Sequence, residues 1–274
     1  MYINSIVTAS NVDGPGNRIA IFLQGCNFIC KYCHNPETIQ HCNHCAQCVK
    51  VCHSNALEIN NSKVVYNSAK CTSCGQCEIY CPNFSSPKVQ ILTPIELYEK
   101  IKRYLHFAEG ITISGGEATL QSSDIEIFFD IIKGSHPNKS CFIDTNGSIL
   151  LSDHPELFKL TDKFIFDVKA ENELEHIALT GKPKSNILEN IHFALNQQKI
   201  YEIRTVLTPL INCETTVLFV CNLLQKTNIP YQLIPVQKHG YFAAQITQVE
   251  RSDVDTLLEK AKAVHYLCYK RSLL

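Results

Sequence analysis

The chain has 274 residues, 45% of them hydrophobic, enough for a real core in one large domain or two smaller ones. Its 25 Lys and Arg nearly cancel 26 Asp and Glu, and without a basic run a nucleic-acid partner is not expected. No stretch approaches the roughly 18 apolar residues of a membrane span, and MYINSIVTASNVDG lacks the basic-then-apolar order of a signal peptide. A cytoplasmic location, away from membranes, is the expectation.

Residues 19–24 (IAIFLQ) read as the first strand, and cysteines follow at 26, 30 and 33. A structural zinc or an ordinary iron–sulfur cube takes four ligands, and this C-x3-C-x2-C has no local fourth. Either the fourth ligand is distant or the site is meant to stay open.

Residues 42–52 (CNHCAQCVKVC) and 71–81 (CTSCGQCEIYC) are both C-x2-C-x2-C-x3-C, a repeat with a period of 29 residues. This is the bacterial two-cluster ferredoxin run, in which the fourth cysteine serves the other cluster. One [4Fe–4S] cluster is accordingly assigned to Cys42, Cys45, Cys48 and Cys81, and the second to Cys71, Cys74, Cys77 and Cys52. Pro82 follows the second run as expected, whereas His53 stands where the first would have proline. Zinc knuckles are the alternative, but their ligands come as two separated pairs, not four within eleven residues. His44 and His53 read as solvated loop residues. Of the 15 cysteines, the remaining four (Cys141, Cys213, Cys221, Cys268) lie in apolar segments and read as small buried hydrophobes. In a reducing compartment the clustering of the others points to metal, not disulfides.

Beyond these runs strands and helices alternate. A helix is expected over 94–107, with Thr93 as N-cap, Pro94 in the first turn, Glu96 closing a capping box, and Ile95, Tyr98, Ile101 and Leu105 as its apolar face. Strands follow at 111–114, 141–145, 164–168, 201–207 and 231–234, with further helices near 123–133, 186–198, 214–227 and 252–263. Six strand–helix units imply a parallel sheet curled into an α/β partial (β/α)6 TIM-like barrel. The barrel is assigned to 1–37 and 84–274, and a ferredoxin-like domain to the inserted 38–83.

The polar motifs fall in register with the strand ends. The three cysteines follow the first strand and SGGE (114–117) the second. DTNG (144–147) ends the third, DVK (167–169) the fourth, Arg204 lies in the fifth, and QKHG (237–240) follows the sixth. Singly, a GG pair, an Asp-x-Lys or an Asn-Gly is an ordinary turn or ion pair. Together they mark the carboxyl ends of a parallel barrel, where active sites are built.

At Cys26, Cys30 and Cys33 the chain resembles the radical S-adenosylmethionine superfamily, in which three thiolates hold a [4Fe–4S] cube and one iron stays open. VDGPGNR (12–18), CHNPE (33–37), the two-cluster insert, SGGEATLQ (114–121), DTNG and DVK together resemble the glycyl radical enzyme activating enzymes, and among them the YjjW-type activases. The resemblance implies S-adenosylmethionine as cofactor, three [4Fe–4S] clusters (one binding S-adenosylmethionine, two auxiliary) and a monovalent cation. It places Tyr32 and His34 beside the adenine and Ser114, Gly115, Gly116 and Glu117 at the amino group. Asp144, Thr145 and Asp167 would hold the cation, and Lys169 and Arg204 the carboxylate or ribose. Asp13, with Gly14, would face the incoming glycine loop, so Asp13 and Lys169 are the catalytic candidates. The family's histidine after strand six is Gln237 here, with His239 two residues on as the candidate substitute.

The implied reaction is abstraction of an α-hydrogen from a glycine of a partner glycyl radical enzyme. Flavodoxin or ferredoxin would donate the electron, the insert would relay electrons or dock the partner, and the protein would be a monomer. Two competing readings are a radical S-adenosylmethionine enzyme modifying a small molecule or peptide, and a three-cluster electron carrier. The carrier needs a fourth ligand for Cys26, Cys30 and Cys33 and leaves the strand-end residues without a purpose.

Overall fold

The computed structural model describes residues 1–184, 186–237, 246 and 249–271. Strands run in chain order β1 (Tyr2–Ser10), β2 (Arg18–Leu23), β3 (Leu57–Asn60), β4 (Lys63–Tyr66), β5 (Gln90–Ile91), β6 (Gly110–Gly115), β7 (Ser140–Thr145), β8 (Lys163–Asp167), β9 (Ile200–Leu207), β10 (Tyr231–Pro235) and β11 (Cys268–Lys270). Helices are α1 (Gln47–Lys50), α2 (Gln76–Ile79), α3 (Pro94–Ile101), α4 (Ser122–Ser135), α5 (Pro155–Leu160), α6 (Glu173–Thr180), α7 (Ile187–Asn196), α8 (Cys213–Leu224) and α9 (Arg251–Val264). No helix among the described residues is long and apolar enough to cross a membrane.

The main sheet has the order β11-β10-β9-β8-β7-β6-β2-β1-β5. From β2 to β11 every neighbouring pair is parallel. The six expected strands are therefore present in the expected order, in a partial α/β barrel. The sequence reading missed β1 and β5, which extend one edge antiparallel, and β11, which adds a seventh parallel strand.

Two-residue alternation decides what faces where. Ile21, Ile113, Ile143, Phe166, Ile203 and Leu233 point outward into one continuous core with α3, α4, α7, α8 and α9. Their neighbours Phe22, Ser114, Asp144, Asp167, Arg204 and Ile234 line an interior cavity. Polar chemistry sits on the inner face because the helices have taken the outer one.

Helix α3 starts as expected: Glu96 N donates to Thr93 Oγ1 at 3.3 Å, and Thr93 N donates to Glu96 Oε2 at 2.8 Å. It ends at Ile101, earlier than expected, and continues only as turns to 107. Its apolar face also differs: Ile95 is exposed, and Leu97 joins Ile101 and Leu105 in the core. Helices α5 and α6 lay below the reach of the pattern, being six and eight residues long. Cys141, Cys221 and Cys268 are buried as expected, while Cys213 is half-buried.

In the insert the sequence repeat is a backbone repeat. His44 and Ala46 have φ of 57° and 61°, and Ser73 and Gly75, 29 residues on, have 57° and 72°. These left-handed residues curl each chain between its first three cysteines before a single helical turn, α1 or α2, carries Cys48 or Cys77. Hairpin β3–β4 turns on Asn61 and Ser62, both at positive φ, the geometry two-residue hairpins need. Leu57 and Val64 pack against Cys48 and Cys77 in a small separate core. His44 does more than meet solvent, since Val64 N donates to its Nδ1 at 3.1 Å.

The two necks of the insert are tied together and to the barrel. Gln40 N donates to Phe84 O at 3.0 Å, and Asn83 Nδ2 to His41 O at 2.8 Å. The buried Gln24 amide, at the end of β2, donates to Glu37 O and Gln40 O at 2.7 and 2.5 Å.

Candidate active site

At the floor of the barrel Arg18 is fully buried against the ring of Phe142, 3.9 Å from its centroid, and burial lowers its pKa to about 10. Its Nε donates to Thr112 Oγ1 at 2.8 Å, and Thr112 donates in turn to Asp13 O at 2.5 Å. Thus the loop between β1 and β2 is pinned, with Asp13 at the cavity.

One wall of the cavity carries Cys26, Cys30 and Cys33 with Tyr32 and His34, and the strand ends supply the rest. Burial pushes the Cys26 and Cys33 thiols up to about 12 and raises Cys30 as well, so cluster binding must release their protons. Phe28 N donates to Cys26 Sγ at 3.4 Å. No fourth cysteine lines this cavity among the described residues. The donor set fits a cube with one open iron: three soft sulfurs share the cavity with hard oxygens and cations.

At the strand ends, Ser114 Oγ donates to Asp144 Oδ2 at 3.0 Å. Burial raises Asp144 to about 7, against the pull of Arg204 and with Asp167 and Asp13 adding to the rise. Arg204 also donates through Nε to buried Glu202 at 2.5 Å and through Nη2 to Val12 O at 3.1 Å. Burial works against its charge, but Asp144 and Glu202 outweigh it and raise the pKa further. Lys169 behaves alike: burial would lower it, yet Asp167 at 3.0 Å and Tyr32 hold it well above its ordinary value.

Every barrel residue expected at the site lines this cavity except Gly14, Glu117 and His239. Glu117 lies behind it, fully buried. Its Oε1 accepts from Thr119 N, Thr119 Oγ1 and Thr145 Oγ1 at 3.0, 2.6 and 2.7 Å, and its Oε2 from Asn146 N at 2.7 Å. With four donors already, the carboxylate clamps the β6 end to the β7 end. Thr145 likewise spends its hydroxyl on Glu117. His239 lies outside the described residues.

Three contributors escaped the sequence reading. Asn146, read there only as part of DTNG and given no role of its own, reaches Cys26 Sγ at 4.0 Å and donates to Asn27 Oδ1 at 3.2 Å. Glu202 sits two residues before Arg204 on the same strand face, a period-2 signal that was available. Arg271 follows β11 and lines the cavity, and its side chain makes no hydrogen bond or ion pair with the described residues. Among those residues no three His, Cys, Asp or Glu side chains are grouped to hold a single metal ion.

In the insert, Cys52, Cys71, Cys74 and Cys77 line one small cavity. Cys48 is raised to about 11, first by burial and then by Cys42, Cys77 and Cys81 nearby. Backbone amides of His44, Ser73 and Ala56 donate to the sulfurs of Cys42, Cys71 and Cys52 at 3.4, 3.4 and 3.2 Å.

Residues 12–192 match the family described as 4Fe-4S single cluster domain. The chain belongs to that family. The match spans β2 through most of α7 and includes all three cavity cysteines. Among curated relatives, the trans-4-hydroxy-L-proline dehydratase activating enzyme of Clostridioides difficile is 30% identical over 199 residues, 65% of this chain and 64% of that one. The pyruvate formate-lyase-activating enzyme of Staphylococcus epidermidis is 28% identical over 286 aligned positions, 97% of this chain and 95% of that one. The chain spans 47% of a Haemophilus influenzae relative and 64% of the dehydratase activase, about half to two thirds of their lengths. The crystal structure of Streptococcus suis SuiB bound to its precursor peptide SuiA shares the fold, with a TM-score of 0.58 at 10% identity over 90% of this chain and 46% of that one.

Proposed function

We propose that the protein is a radical S-adenosylmethionine activase that installs the radical on a partner glycyl radical enzyme. The observation that carries this reading is one cavity lined by Cys26, Cys30 and Cys33 together with Ser114, Asp144, Asp167, Lys169 and Arg204. The relatives named as activating enzymes support it.

Cys26, Cys30 and Cys33 would hold the open [4Fe–4S] cluster. When bound there, S-adenosylmethionine supplies a 5′-deoxyadenosyl radical on one-electron reduction, able to take an α-hydrogen from glycine. Tyr32 and His34 flank the adenine, Ser114, Gly115 and Gly116 take the amino group, and Glu117 acts behind them by fixing both strand ends. Lys169 and Arg204 orient the carboxylate or ribose, and Asp144 and Asp167 with Thr145 favour a monovalent cation through hard oxygens. Asp13 meets the partner's loop, whose glycine has no side chain to block approach.

Residues 38–83 form a ferredoxin-like unit with two further clusters, the barrel comprising 1–37 and 84–274. Cys42, Cys45, Cys48 and Cys81 hold one, and Cys71, Cys74, Cys77 and Cys52 the other, receiving electrons from flavodoxin or ferredoxin. The protein acts as a monomer in the cytoplasm.

The test is anaerobic reconstitution with iron, sulfide, a reductant and S-adenosylmethionine, with 5′-deoxyadenosine as readout and Cys26→Ala as control. Production lost in that variant supports the site. Cleavage retained without Cys26 overturns it. A glycyl radical signal on adding a glycyl radical enzyme completes the assignment, and product released onto a small molecule or peptide instead would replace it.

A further inference from the structure

We propose that Lys88 raises the reduction potential of the cluster held by Cys52, Cys71, Cys74 and Cys77 above that of its neighbour in the insert. This rests on the two-cluster reading of residues 38–83.

Among the described residues that line that cavity, Lys88 is the one charged side chain. It belongs to neither cysteine run and comes from the segment that leads back into the barrel. A lysine stem ordinarily roams, but this one is anchored. Its Nζ donates to Glu78 Oε2 at 3.0 Å, Ser86 Oγ donates to Glu78 Oε1 at 2.7 Å, and Lys88 N donates to Ser86 Oγ at 3.2 Å. Both Lys88 and Glu78 side chains are largely hidden, at 20% and 23% exposure, so water screens the pair weakly. Glu78 does not line the cavity. Both charges act on Cys77, and Lys88, which alone of the two lines the cavity, outweighs Glu78 there.

The sequence repeat shows that this device belongs to one cluster only. Position 78 in the second run corresponds, 29 residues earlier, to Val49 in the first. The first run has no carboxylate with which to anchor a cation, and its own lysine, Lys50, is exposed and donates to Gln47 Oε1 at 3.2 Å. Taking up one electron makes a four-thiolate cluster one unit more negative, and a fixed nearby cation favours that state in a poorly screened site. When the insert holds a single electron, it rests on the cluster beside Lys88.

The experiment uses full-length protein in which Cys26, Cys30 and Cys33 are alanine, leaving only the insert clusters. Redox titration followed by electron paramagnetic resonance compares Lys88 with Lys88→Met and Lys88→Arg, with iron counted in each. Lys88→Met should lower the reduced-to-oxidised ratio of one cluster at least tenfold at fixed poise, about 59 mV for one electron. The other cluster should move less than twofold, and Lys88→Arg should restore the parent value. Unmoved potentials, equal shifts in both clusters, or failure of arginine to restore would overturn the proposal. If Lys88→Met loses iron, Lys88→Gln decides, because it removes the ammonium and keeps a polar side chain: a fall in potential confined to one cluster supports the assignment and none refutes it. Fewer than two clusters in the parent overturns the two-cluster reading itself, a result distinct from two clusters with unmoved potentials.

Discussion

The Arg204 guanidinium stands 3.6 Å from the Asp144 carboxylate, yet Asp144 is held up at about 7. Burial outweighs the cation, and Asp167 and Asp13 add to the rise. In the unfolded chain an aspartate titrates near its ordinary value of about 3.9. A carboxyl whose pKa is raised on folding contributes stability that is full below the unfolded value and is lost as pH rises through the folded one. Without S-adenosylmethionine, the wild type should therefore lose more stability between pH 5.5 and 8 than Asp144→Asn. Thermal unfolding of both proteins at the two pH values measures this, and equal losses would mean that Asp144 is ionised throughout.

At Gly116 the β6 end packs directly against the backbone leading into the cysteine loop. A Cβ there would lie 2.1 Å from Gly25 O and 2.9 Å from Thr38 O, both backbone atoms that cannot swing aside. Gly116 N also donates to Leu23 O at 2.9 Å, and Glu117 N to Gly25 O at 2.8 Å. Gly116→Ala should force the Cys26 loop away from Ser114 and cost about 1–3 kcal/mol of stability, as overpacking does. Binding of S-adenosylmethionine, followed by equilibrium dialysis, should fall while the iron of the insert stays. Unchanged affinity would show that the two walls tolerate separation.

The residues that line the cavity were legible because their types and strand-end positions are local properties. Cys26-x3-Cys30-x2-Cys33, Ser114, Asp144, Asp167 and Arg204 each sit beside a strand that apolar runs announce. What escaped depends on contacts between distant positions. Arg271 reaches the cavity because β11, only three residues long, pairs with β10, and no periodicity marks three residues. Tyr269 donates to Glu202 across 67 positions and thereby joins the Arg204 network. The bonding of Glu117 was hidden for the same reason: its fourth donor, Asn146 N, lies 29 residues along. By contrast β1 was within reach, since its inner residues alternate with exposed ones, but a strand outside the strand–helix rhythm drew no notice.

Glu117 supplies the third prediction. All four of its bonds are accepted from donors that have no water to turn to. In Glu117→Gln an NH2 group replaces one oxygen and faces a donor, leaving buried groups unpaired at a cost of about 1–3 kcal/mol. The midpoint of denaturant unfolding should drop accordingly. Affinity for S-adenosylmethionine should fall too, through displacement of Thr145 and Asn146 and not through a lost ligand contact. A variant with native stability but no binding would reverse that and make Glu117 a direct contact.

The last prediction separates the insert from the barrel site. Cys45 and Cys74 are the exposed members of their runs, so their removal disturbs little packing. The small core around Cys48, Leu57, Val64 and Cys77 stays, as do the neck bonds from Gln24 to Glu37 and Gln40. Replacing both with alanine should therefore strip or damage the two insert clusters while the cavity of Cys26, Cys30 and Cys33 keeps its shape. S-adenosylmethionine affinity should hold, whereas radical formation on a partner glycyl radical enzyme should drop at least tenfold, because either the electron route or the docking face is gone. Binding by equilibrium dialysis and the partner's radical signal read the two effects independently. Loss of both to the same degree would mean that the insert supports the barrel's own architecture.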